Sequence, residues 1–128
     1  MPAAGPRDER CLAAPGAGRI VTGDPFIVRT NCPDRATATR LARTLVDERL
    51  AAAANIHAPI DSLYHWRGEV VSRSEVPLEL KTRAGLFEAL AARIRALHPY
   101  ETPAVIAVAP ERWDASYAAW IAEETRAD

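Results

Sequence analysis

Ile60-Asp61-Ser62-Leu63-Tyr64-His65-Trp66, then Arg67-Gly68, then Glu69 onward through Val76-Pro77-Leu78-Glu79-Leu80-Lys81-Thr82, is the stretch that decides the fold. Arg67-Gly68 reads as a tight hairpin turn, since glycine supplies the positive φ such turns need. On the returning arm, Leu78 and Leu80 fall on one face of a strand and Glu79 and Lys81 on the other. The outgoing arm reaches back through Ala53-Ala54-Asn55-Ile56-His57-Ala58 and is interrupted at Pro59, where the missing N–H predicts a bulge or bend. About 14 residues per arm at about 3.3 Å each span about 45 Å, more than a small four-stranded sheet uses. Part of this hairpin is expected to leave its own sheet, and its open edges to demand a partner.

Upstream of the hairpin, Phe26-Ile27-Val28-Arg29-Thr30 predicts a strand, Asn31-Cys32-Pro33-Asp34 a turn, and Asp34 a helix N-cap. Ala38, Leu41, Ala42, Leu45, Val46 and Leu50 recur at helical spacing, with Arg40, Arg43, Asp47 and Glu48 turned away. Downstream, Leu86, Phe87, Leu90, Ile94 and Leu97 predict a second helix that stops before Pro99. Val105-Ile106-Ala107-Val108 reads as a last, buried strand, and Tyr117, Trp120, Ile121 and Glu124 as a short terminal helix with an aromatic face to be covered. The order is that of an α+β, ferredoxin-like βαββαβ sandwich with a long central hairpin and a short C-terminal helix. Right-handed crossovers place both long helices on one face of the sheet. Residues 1–24, rich in Pro and Gly and without apolar periodicity, predict a disordered tail, leaving residues 25–128 as the folded domain.

At 128 residues, 48% hydrophobic and 26% charged, the chain has the composition of one globular domain. A net charge of −1 gives no field to attract nucleic acid. No apolar run approaches the length of a membrane span, and Arg7-Asp8-Glu9-Arg10 stands where a signal peptide would be apolar. A cytoplasmic protein is expected, with no membrane and no nucleic-acid partner. Cys11 and Cys32 have no metal-finger spacing.

The densest functional candidate is His98-Pro99-Tyr100-Glu101, which gathers an imidazole, a phenol and a carboxylate at a helix end. His98 reads equally well as a cap on the last helical carbonyls. As a metal ligand it needs Glu101, Cys32 or a residue of a neighbouring subunit beside it. Cys32 stands next to a helix N-terminus that favours a thiolate, or else fills a turn as a small apolar group. Tyr64, Trp66 and Trp120 suit subunit packing, and Lys81, the only lysine, suits either an anionic ligand or a pairing with Glu79 or Glu101. No nucleophile–base pair or phosphate loop stands at recognisable spacing, so no enzyme is expected.

From about Phe26 to Glu124 the chain closely resembles the CutA family of CutA1 divalent-cation tolerance proteins. Carrying that resemblance are Cys32-Pro33-Asp34, Glu48-Arg49-Leu50-Ala51-Ala52 with Asn55-Ile56, Ser62 to Gly68, Leu80-Lys81-Thr82, His98 to Pro103, and Tyr117-Ala118-Ala119-Trp120. It implies a tight homotrimer with strands extended between subunits, much as in the trimeric PII proteins, and an association with copper or other divalent cations. The family often has a cysteine just after the first helix, where this chain has Ala51-Ala52-Ala53-Ala54. Copper bound through His98, Glu101 and Cys32 is then expected to be weak and to favour Cu(II) over Cu(I). Clefts between subunits lined by Asp34, Tyr64, Trp66, Lys81, His98, Tyr100, Glu101 and Trp120 serve this reading. They equally serve a second one, a PII-like signalling adaptor that binds a small anionic metabolite and passes its state to a protein partner.

Overall fold

The computed structural model describes residues 20–21 and 23–127. Most of the expected N-terminal tail, including Cys11, therefore lies outside the described residues. Strand β1 (Pro25–Cys32) leads to helix α1 (Arg35–Asp47), whose N-cap is Asp34: its carboxylate accepts the Thr37 N–H at 2.7 Å. The helix ends in a left-handed residue, Arg49 at φ 57°, with Arg49 N–H donating to Val46 O and Leu50 N–H to Leu45 O. That pairing is a Schellman closure, and it turns the fully buried Leu50 back under the helix.

The outgoing arm of the hairpin is β2 (Ala53–Ile56) and β3 (Ile60–Trp66), and the returning arm is one long strand, β4 (Glu69–Arg83). Ile56 faces Leu78 and Ile60 faces Glu75, so three residues of one arm oppose two of the other. This is the bulge foreseen at Pro59. The turn has positive φ at both Arg67 and Gly68, which matches the twist of the flanking strands. A 3₁₀ turn (Ala84–Leu86) enters α2 (Phe87–Leu97), which stops at His98 in extended geometry before Pro99. Strand β5 (Ile106–Val108) and helix α3 (Ala115–Glu124) complete the chain.

The sheet runs β2-β4-β1-β5, all antiparallel, with β3 continuing β2's side of β4. One face meets both long helices: Val28, Cys32, Val76, Leu78 and Leu80 pack with Leu41, Leu45, Leu90 and Ile94 in a single core. The fold is the expected ferredoxin-like sandwich. One expectation is corrected. β5 is an edge strand rather than a buried one: it pairs only with β1 and leaves Ile106 57% exposed, since a β-branched run reads alike at an edge or in a core. In α3 the buried residue is Ile121, while Tyr117 and Trp120 stack on each other at 5.6 Å and form the aromatic face that this chain leaves exposed.

Candidate functional site

The outer half of β4, together with β3, stands clear of the core. On one face of this ribbon the register places Ser62 opposite Arg73 and Tyr64 opposite Val71, with Trp66 and Glu75 at the two ends. The segment after α2 folds back toward that face. Between them lies a cleft of about 670 Å³ lined by Tyr64, Trp66, Arg73, Glu75, Tyr100 and Glu101 among others. Four of the anticipated residues, Tyr64, Trp66, Tyr100 and Glu101, thus converge, and they do so within one chain.

His98 holds the return segment in place. Its Nε2 donates to the Asn31 carbonyl at 2.7 Å, and its Nδ1 accepts the Tyr100 N–H at 3.0 Å. Those two bonds fix the neutral tautomer with the proton on Nε2. Burial pushes the imidazole pKa below the ordinary histidine value, against the opposing pull of the Asn31 carbonyl and Glu75. The ring packs at 4.6 Å on Tyr100, whose hydroxyl donates to Glu75 Oε2 at 2.8 Å. Burial, then Glu75, push the Tyr100 phenol up to about 12. At the mouth, Arg67 pairs with Glu101 at 2.9 Å, bridging the hairpin tip to the return segment.

The expected metal ligands do not form one coordination sphere within a chain. Both nitrogens of His98 are committed to backbone groups, and Glu101 is exposed and paired with Arg67. Cys32 is fully buried; burial first, then Asp34 and Glu75, push its thiol up to about 11, so it is a thiol and not a thiolate at neutral pH. The helix N-terminus does not outweigh desolvation there. Among the described residues no three His, Cys, Asp or Glu side chains are grouped to hold a metal ion.

Asp34, Lys81 and Trp120 are placed away from the cleft. Asp34 is spent as the α1 cap, and its carboxyl is held below the usual range by the Thr37 N–H. Lys81 stands far along the inner half of β4, opposite Ile27 and Ala53, its ammonium 2.6 Å from both Glu79 and Asn55, which answers the expected anion partner with an internal carboxylate. Trp120 lies beside Arg49 and Glu124 at the end of α1. Sequence reasoning missed Glu75, Arg73 and Asn31. Counting back from the Arg67-Gly68 turn would have placed Arg73 and Glu75 on the Tyr64 face; the Asn31 contact is nonlocal and gives no such signal.

The family model described as CutA1 divalent ion tolerance protein matches residues 26–124. The divalent-cation tolerance protein CutA of Pyrococcus horikoshii is 40% identical over 101 residues, covering 79% of this chain and 98% of that protein. Mouse protein CutA is 37% identical over 112 residues, and the match spans 88% of this chain but 63% of the mouse protein's length. The crystal structure of CutA from Xylella fastidiosa aligns with a TM-score of 0.78 at 36% identity, covering 80% of this chain and 99% of that one.

Proposed function

Because this chain belongs to the CutA1 divalent ion tolerance family, we propose that it works as a cytoplasmic homotrimer in the response to divalent metal ions, as a binding protein and not an enzyme. The observation that carries the assembly is the outer half of the hairpin. Leu63, at the rim of the cleft, and Val70 are 70% and 64% exposed. Strand β1 pairs with β4 only from Val76 onward, so among the described residues Glu69–Glu75 has β3 on one side and an open edge on the other. An open edge flanked by apolar side chains is satisfied by sheet extension into another subunit.

Copper or another divalent cation is, on this reading, a weakly held ligand of the assembly. The donors of one chain do not fit a resident copper, because His98 has no free nitrogen and Cys32 has no thiolate. Donors from neighbouring subunits would have to complete any site, and oxygen and imidazole groups favour Cu(II) over Cu(I). The test is sedimentation of the full chain at micromolar concentration, followed by titration with Cu(II) and, under reducing conditions, Cu(I). The expected result is three times the 13.9 kDa chain mass, weak saturable Cu(II) binding, and no effect of Cys32→Ser. A single-chain mass, or tight Cu(I) binding lost in Cys32→Ser, would overturn it.

A further inference from the structure

We propose that the cleft between the outer hairpin and residues 100–104 binds a small organic cation, an arylalkyl amine, with the ammonium group seated at the Glu75 carboxylate. One chain supplies the whole of this lining. Glu75 is the one buried acidic residue among the described residues, 5% exposed. Its Oε2 accepts the Tyr100 hydroxyl, while Oε1 has no hydrogen bond and the group no ion pair among the described residues. Oε1 is not among the buried unpartnered side-chain atoms, so this oxygen opens to the cleft and can accept from a cation there. Arg73, on the same face, does not supply that cation: its guanidinium lies over the Tyr100 ring, 5.2 Å from the centroid.

Shape and walls agree with such a ligand. About 670 Å³ is the size of a small-molecule site. Tyr64, Trp66 and Tyr100 present electron-rich rings, and two of them already attract guanidinium groups, Arg67 over Trp66 at 5.4 Å and Arg73 over Tyr100. With Glu101 already paired to Arg67, the remaining charged lining is Asp61 and Glu75 against Arg73, a net negative charge that disfavours an anion. With no three metal-ligating side chains grouped among the described residues, a bare metal ion is the poorer fit, and an amine with an apolar body is the better one.

Calorimetric titration of the native, assembled protein with phenylethylammonium and with phenylacetate tests this, since the two share a ring and differ in charge. Saturable binding of the amine and none of the acid is expected, with Glu75→Gln weakening the amine at least about tenfold through loss of a charged hydrogen bond. Arg73→Ala changes an exposed side chain that the core does not use, so it keeps the test decisive if Glu75→Gln fails to fold. It should tighten the amine several-fold by removing a like charge. Binding of phenylacetate instead, or weaker amine binding in Arg73→Ala, would overturn the proposal. So would absence of amine binding with a change in oligomer mass in Glu75→Gln, which would give the carboxylate to an arginine of a neighbouring copy.

Discussion

Val76–Arg83 and Glu69–Glu75 are two halves of one strand, and they live in different environments. In the inner half, β1 and β2 flank the strand, and alternate residues Val76, Leu78 and Leu80 enter the core beneath the helices. In the outer half β3 is the one paired strand among the described residues; Val70 is exposed, and Arg73 and Glu75 line the cleft. The changeover is at Glu75 and Val76, consecutive residues that are both buried, one under Tyr100 and the other in the core. Burial thus depends on what lies over each face, which alternation alone does not report. The inner half builds the subunit, and the outer half is left to build a site and, as proposed, an assembly.

The sharpest way to break this contrast is at the core. Leu80→Ala, at a fully buried position, should cost about 2–5 kcal/mol in denaturant unfolding. The same truncation at exposed Leu63 should leave the subunit's own unfolding free energy within about 0.5 kcal/mol. Paired substitutions Leu63→Asp and Val70→Asp should instead shift the sedimentation mass toward a single chain while the helical circular dichroism signal persists.

A smaller effect concerns pH. Because His98 is held neutral by burial, its folded-state pKa lies below that of the unfolded chain. Its contribution is therefore complete above about pH 6.5 and is lost as the pH falls through the lower folded value. Unfolding midpoints from pH 7.5 down to 5 should fall in the wild type, with a shallower slope in His98→Gln. Equal slopes would remove His98 as the cause. Asp34→Ala, which strips the α1 cap, should lower the melting temperature by roughly a few degrees. Arg67→Ala should change stability least, since its pair with Glu101 is mostly solvent-exposed, and should report only on access to the cleft.

How much of this was legible beforehand follows the range of the interactions. The Asp34 cap, the Arg67-Gly68 turn and the irregularity at Pro59 were readable because each is settled by a few neighbouring residues. Tyr64, Trp66, Tyr100 and Glu101 are expected from the sequence in a cleft between subunits, whereas the structure groups the four within one chain, a placement that only the folded hairpin and return segment decide. The fate of Lys81 was left open, because two carboxylates were eligible partners and only the sheet shows that Glu79 is the one at hand. Thiolate and small apolar filler both stay open for Cys32 in the sequence, which shows the helix start but not the depth of burial that favours the filler. Glu75 went unseen because the residue that covers it, Tyr100, is 25 positions away.

Amide hydrogen exchange along β4, compared between the wild type and Val70→Asp under native conditions, tests the division of this strand most directly. Protection of Val76–Arg83 should be the same in both proteins, while those amides of Glu69–Glu75 that point away from β3, covered in the proposed assembly by a neighbouring subunit, should lose their protection in the variant. Loss of protection in both halves together, or unchanged protection in both, would contradict it.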